Sequence, residues 1–424
     1  MEHYVSYGHG HSKFSITERL KTLTLLPKEI ASLDHMYEKV IESILNSEGY
    51  LKLQNVANKE SSIVIIIDDN TRPIPTKEII IPLLDYLNKL HVKKEKIKII
   101  IALGAHKKLN EKAIIGLVGE KIYGEYKVVN HDAFDNNQLT YFGETSFGTP
   151  IWINNEVVNA DIKILIGLIK PHNQAGYSGG GKSILPGVAG IKTIQSNHNY
   201  KSISNQDSRI GIINGNPIRS DIEDSLKFID NVFIINVVMD YKENVIDIVS
   251  GDPIEAHKKG AKILDEVSKF EINSDFDICI CGTPDPIDID FYQMLNSLSL
   301  PYRCNQPIIK EGGAIIVVGR AYQGISTHDF YKCLAKYSPD TVWDKISHEN
   351  SDIEDRAALQ IFLEGFLKYN IIVATELKNI NYFNDMKIEA YYDIQNAVDS
   401  VIKKYKNPNI LILPYAPYTI IKKV

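Results

Sequence analysis

Ile63-Val64-Ile65-Ile66-Ile67, followed by Asp68-Asp69-Asn70-Thr71-Arg72-Pro73, decides the fold. Five β-branched apolar residues with no polar alternation read as a strand buried on both faces, which is the pattern of a parallel sheet covered by helices. The polar turn after it leads to Thr76, which reads as the cap of an amphipathic helix from Lys77 to Leu90. The same strand, polar junction and helical period recur at Ile97 to Leu103 with Gly104-Ala105-His106, and at Ile162 to Ile169 with Lys170-Pro171-His172. Alternation of this kind indicates an α/β fold with largely parallel sheets. Ligands of such sheets sit beyond the carboxyl ends of the strands, so the three junctions are expected to line one crevice.

A strand at Val232 to Met239 and a helix near Pro253 to Val267 complete the first series. The pattern restarts at Asp277 to Cys281, then Ala314 to Val318, Ile371 to Ala374 and Ile410 to Leu413. This predicts two α/β domains, residues 1–272 and 273–424, with a cleft between them. The 424 residues are 44% hydrophobic and 24% charged, which excludes a disordered chain. Lys and Arg total 47 against 53 Asp and Glu, a net charge of -6 without long runs of one sign, so nucleic acid is not an expected partner. No apolar run approaches the roughly 20 residues of a spanning helix, and the N-terminus lacks a signal-peptide pattern. A soluble, cytoplasmic protein is expected. Cys279 and Cys281 alternate on one strand face and, with Cys304 and Cys333, read as reduced structural thiols.

Gly176-Tyr-Ser-Gly-Gly-Gly181-Lys182-Ser183 matches the phosphate-binding P-loop pattern letter for letter. Its surroundings do not suit a P-loop: Pro171 to Ala175 separate the strand from the first glycine, and Pro186, Gly187 and Gly190 follow where a long helix should begin. A phosphotransferase or hydrolase using this loop is the competing reading, with magnesium and ATP as its ligands. The glycines themselves suggest close backbone approach to an anion, and Lys182 a phosphate ligand or a desolvated nucleophile. Among twelve histidines, His106, His172 and His198 lie beside the expected crevice; His131 reads as structural, and His9-Gly10-His11 as a flexible polar segment.

Taken together, Asp69-x-Thr71-Arg72-Pro73, Gly104-Ala105-His106 and Pro171-His-x-x-Ala-Gly-x-Ser-Gly-Gly-Gly-Lys-Ser-x-x-Pro-Gly187 with the later His198 resemble the nickel-dependent lactate racemase (LarA-type) family over nearly the whole chain. The resemblance implies a nickel-pincer nucleotide (pyridinium-3-thioamide-5-thiocarboxylic acid mononucleotide nickel) tethered to Lys182, with His198 as the nickel ligand. It implies that Asp69, Thr71 and Arg72 lie near the cofactor and its phosphate, and that Ser178, Gly179, Gly180 and Gly181 offer further phosphate donors. His106 and His172 match the acid/base pair of a 2-hydroxy acid racemase or epimerase. In the implied reaction the hydroxyl proton leaves to one histidine, C2 gives a hydride to the cofactor, and return to the other face of the transient 2-keto acid inverts the centre. Dependence on cofactor-synthesis enzymes follows.

Tyr292 and Gln293 resemble the family's Tyr-Gln motif, but Asn296 stands where a lysine is expected to hold the substrate carboxylate. An amide carries no charge, so a larger or hydroxylated acid is at least as well suited as lactate. Arg303, Lys310, Arg320 and Arg356 are the nearby cations that can replace it. The stretch Glu354 to Gln360 also lacks the tryptophan that the family's lactate enzymes place beside the substrate.

Overall fold

A computed structural model describes residues 1–325, 328–348, 353 and 355–424. The first sheet has six strands, in the order Val245–Gly251, Val232–Met239, Ile162–Ile169, Ile63–Asp68, Ile97–Ala102 and Lys127–Asn130. All pairs are parallel except the edge pair of Val232–Met239 with Val245–Gly251. Ile162–Ile169 and Val232–Met239 are buried along their entire length, as their unbroken apolar runs require. The three strands carrying the polar junctions are adjacent, so their carboxyl ends open side by side.

The second sheet is built on Phe276–Pro284, with Ile309–Val318, Asn370–Ala374 and Glu389–Tyr391 on one side and Asn409–Leu413 on the other, all in parallel register. Two N-terminal pieces join it. Lys21–Thr24 pairs with Asn409–Leu413, and the hairpin of Glu2–Gly8 with Gly10–Ser15 meets the end of Phe276–Pro284 at Tyr7 and Gly8. His9 and His11 are therefore in a β-hairpin and its turn, not in a flexible segment, and His11 Nε2 lies 2.8 Å from Tyr415 Oη. The helix expected after Thr76 runs Thr76–Lys89, and Thr76 lies inside it; Pro75 holds the capping position and makes no side-chain cap. All four cysteines are free and buried.

The carboxyl ends of the two sheets face one another. Tyr241, after Val232–Met239, packs against Tyr415, after Asn409–Leu413, with ring centroids 4.5 Å apart. Arg303 of the second half is fully buried against the first, donating to Asn173 O at 2.8 Å and Ser208 O at 2.7 Å. Among the described residues, no helix is long and apolar enough to cross a membrane.

Candidate active site

The junction after Ile63–Asp68 turns back on itself because Asp69 Oδ1 accepts from Thr71 N (3.1 Å) and Thr71 Oγ1 (2.5 Å). That leaves Asp69 Oδ2 aimed at the neighbouring junction, where it lies 2.7 Å from His106 Nδ1. A carboxylate accepts only, so Nδ1 carries a proton, and in the neutral ring Nε2 keeps its lone pair. Burial alone would raise the Asp69 pKa, but His106, Arg72 and Thr71 outweigh it and bring the carboxyl down to about 2. Gly104 N donates to Gly187 O at 2.9 Å, which ties the His106 loop to the end of the glycine segment.

His172 has the opposite set. Its Nδ1 accepts from Gln174 N and Ala175 N, both at 3.2 Å, so in the neutral ring the proton is on Nε2. Burial holds its pKa well below the ordinary imidazole value, reinforced by Lys182, His198, Arg72 and Arg219. His198 ends the Ile191–Asn197 helix, and its buried Nδ1 has no hydrogen-bond partner. Burial, then Lys182, lowers its pKa to about 3, so the imidazole is neutral, as a metal ligand must be. Asp221 fixes that helix, accepting from Asn197 Nδ2 (2.8 Å), Thr145 Oγ1 (2.6 Å) and Thr149 Oγ1 (2.7 Å).

Lys182 Nζ has no hydrogen bond or ion pair among the described residues, while its backbone is held by Gly179 O and Gly187 N. Burial, then Arg219 and Arg72, pulls its pKa from the usual 10.5 to about 7, against the opposing pull of Asp68. Asp68 itself is pushed up to about 6, chiefly by burial. Near pH 7 a large share of Lys182 is therefore free amine, the nucleophilic form. We predict that an amine-reactive acyl reagent labels Lys182 with a half-point near pH 7, as peptide mapping across a pH series would show.

The glycine segment is not a P-loop. Pro171–His172 and Gly176–Tyr177 form a small hairpin, Gly180–Ser183 is a short 3-10 turn, and the next α-helix starts only at Ile191. Two of its donors are spent on protein: Ser178 N on Lys170 O (2.9 Å) and Gly180 N on Asn236 Oδ1 (2.7 Å). Ser178 Oγ donates to Leu168 O (2.5 Å) and accepts from Lys170 N (3.0 Å), which leaves no proton for the phosphate expected there. Gly179 and Gly180 have positive φ, 77° and 61°, and an added Cβ would come within 2.8 Å of Asn236 Oδ1 and 3.0 Å of His257 respectively. For Gly181 the Cβ would press Ile222 at 3.1 Å. These glycines permit close packing on the protein itself.

Three residues that sequence reading missed hold this segment. Arg219 is fully buried and donates to Ala175 O (3.2 Å), Gly179 O (3.4 Å) and Tyr177 O. Asn236 meets Gly180 N, and His257 Nε2 lies 2.9 Å from Ser178 O. They come from distant elements, so no local spacing announces them. Arg219→Ala removes a buried donor from three carbonyls, of which Ala175 O keeps Tyr177 N and Gly179 O keeps Lys182 N, and it is expected to destabilise the fold by about 1–3 kcal/mol in denaturant titration.

In the second half, Tyr292, Gln293 and Asn296 lie on the Phe291–Leu298 helix, capped by Asp290, which accepts from Gln293 N at 2.7 Å. The following Ser299 Oγ is 3.5 Å from Asn173 Nδ2, beside His172. Asn296 Nδ2 donates to Gln293 O within the helix (2.8 Å). Of the four cations, Arg303 is tied to Glu364 and backbone carbonyls, Arg320 to Asp288 (2.8 Å) and Asp285 (2.6 Å), and Lys310 to Asp277 (2.8 Å). Arg356 donates to Gln195 O at 3.3 Å, on the His198 helix. Glu354 lies outside the described residues, and Gln360 donates to Tyr200 O and Ser204 Oγ.

Comparison with known proteins places this constellation. The description "Lactate racemase N-terminal domain" matches residues 7–211, and "Lactate racemase C-terminal domain" matches residues 271–416. The lactate racemase of Lactiplantibacillus plantarum is 31% identical over 366 residues, 85% of each chain. The chain belongs to the lactate racemase family. A second family member, the lactate racemase of Thermoanaerobacterium thermosaccharolyticum, is 28% identical over 96% of each chain. The structure of the apoprotein from that organism superposes with a TM-score of 0.91 at 27% identity, covering 100% of both chains. A Thermotoga maritima protein shares the fold at 18% identity, TM-score 0.71, covering 94% of this chain and 100% of that one.

Proposed function

We propose that this member of the lactate racemase family is a racemase or epimerase of a 2-hydroxy acid, acting through a nickel-pincer nucleotide held by Lys182 and His198. The observation that carries it is the juxtaposition of a lysine whose amine is unpartnered and partly deprotonated near pH 7, a neutral histidine with an orphaned nitrogen, and two histidines whose ring nitrogens have opposite sets of partners. The residues present fit that group. Among the described residues no three His, Cys, Asp or Glu side chains are gathered to hold a metal, so a metal at His198 would arrive with other donors of its own. Lys182 would hold the group through a covalent bond from its amine, and Arg72 is the guanidinium placed to pair with its phosphate. When bound, the group supplies reversible acceptance of the hydride from C2 of the substrate.

The chain's own residues do the rest. His106, with Nε2 unprotonated, accepts the substrate hydroxyl proton, and Asp69 stabilises the imidazolium that forms. His172 presents Nε2–H toward an oxygen on its side of the cleft. Two groups of this kind let a flat 2-keto acid be held by either face, which is what inversion at C2 requires. We further propose that residues 1–272 and 273–424 act as the two walls of the cleft, the N-terminal strands being carried on the second wall, and that closure excludes water from the transfer. Asn296 offers no charge, and we infer a substrate larger or more hydroxylated than lactate, such as a sugar acid.

The test is incubation of single stereoisomers of lactate, glycerate and longer sugar acids in heavy water, followed by chiral separation and mass analysis. Inversion with hydrogen retained at C2 is expected. Deuterium at C2 of the inverted product would replace hydride transfer with proton abstraction from carbon.

A further inference from the structure

Lys170 is used by none of the chemistry above. It follows the Ile162–Ile169 strand, two residues before His172, and only 7% of it is exposed. Its backbone is pinned on both sides by Ser178, through N to Oγ (3.0 Å) and O to N (2.9 Å). A long flexible side chain on so fixed a base delivers its amine to one place. That place holds Arg72, Asp68, Asp69 and Glu243 within electrostatic reach, yet among the described residues Lys170 Nζ makes no hydrogen bond and no ion pair.

No carboxylate holds Lys170 in an ion pair among the described residues. Asp69 is committed to His106 and Thr71. Asp68 and Glu243 act on Lys170 only at a distance, and burial pushes the pKa of both upward, that of Asp68 to about 6. Arg72 donates to Thr71 Oγ1 at 3.1 Å and has no carboxylate bound. Lys170 is buried and Arg72 half-buried, and burial, then Arg72, brings the Lys170 pKa down to about 7, so an arriving anion would complete the protonation of its amine. Arg303, Arg320 and Lys310 are already paired elsewhere.

We propose that Lys170, beside Arg72, binds the carboxylate of the 2-hydroxy acid, supplying the charge that Asn296 does not. This rests on the racemase reading and names its substrate-holding residue. Lys170 precedes His172 by two residues, and its strand pairs with the strand that leads into Asp69, the partner of His106, so its junction adjoins both histidine-bearing junctions.

The experiment uses holoprotein produced together with the cofactor-synthesis enzymes and titrated calorimetrically with glycolate. Glycolate is the smallest 2-hydroxy acid and has no stereocentre, so the readout is binding alone. Lys170→Met keeps the length and removes the charge; Lys170→Arg keeps the charge and guards against a folding defect, which thermal midpoints would reveal. Loss of a charge-assisted contact is expected to weaken glycolate on the order of 10- to 100-fold in Lys170→Met, with Lys170→Arg retaining binding and the mononucleotide mass on Lys182 unchanged in both. Unaltered glycolate binding by Lys170→Met overturns the proposal. Loss of the mononucleotide from that variant overturns it too, by assigning Lys170 to the anionic groups of the cofactor. Wild-type protein lacking the mononucleotide refutes the racemase reading itself, before any Lys170 variant is made, and this proposal falls with it.

Discussion

Lys182→Ala, prepared alongside the cofactor-synthesis enzymes, is expected to emerge with the unmodified chain mass, no nickel and racemisation at background. The side chain that alanine removes makes no hydrogen bond or ion pair among the described residues, so the variant loses reactivity and not a structural contact. Its fold should not suffer. In the folded protein Lys182 protonates only below about 7, whereas in the unfolded chain it does so near 10.5. Between those values protonation favours the unfolded state, so the lysine lowers stability at neutral pH and stability rises as pH rises through this window. Alanine removes that burden, and the thermal midpoint of the cofactor-free protein is expected to stay level or rise. A folded, stable and inactive variant separates a tethering role from a packing role.

His106→Ala and His172→Ala are expected to retain the mononucleotide and lose turnover by about 10²- to 10⁴-fold, the range of a positioned proton-transfer group. Among the described residues neither ring hydrogen-bonds to Lys182 Nζ, so intact mass should be unchanged while kcat falls. Asp69→Asn is the informative companion for His106. It replaces the acceptor of the Nδ1 proton with an amide that can turn its NH₂ toward the ring, favouring the tautomer with no lone pair on Nε2. kcat should fall there as well, with cofactor content intact. If either histidine variant lost the mononucleotide, its role would belong to cofactor binding.

The strands at 63–68, 97–102, 162–169 and 232–239 were legible because β-branched runs buried on both faces permit no other placement. The site was legible wherever a reactive side chain directly follows such a strand, as with Asp69, His106 and His172. What escaped depends on contacts distant in sequence. Nothing near Gly179 and Gly180 reports that Asn236 and His257 stand where a Cβ would go, so their packing requirement is invisible in the sequence, which offers only the reading of an anion cradle. Ser178 likewise reads as a phosphate donor until its hydroxyl is seen returning to Leu168 O. The N-terminal hairpin escaped because its strands are short and largely exposed, and their pairing depends on Phe276–Pro284 far along the chain. Thr76 escaped as a cap because Pro75 precedes it and takes the capping position.

The central claim is that Lys182 carries a nickel-binding mononucleotide opposite His198. It is tested most directly by intact mass and metal analysis of the wild-type protein produced with the cofactor-synthesis enzymes, with the modified peptide mapped. One mononucleotide mass on the peptide containing Lys182, with one nickel per chain that His198→Ala diminishes, is the predicted result. An unmodified Lys182 and no nickel in folded protein from a host shown to make the cofactor would contradict it.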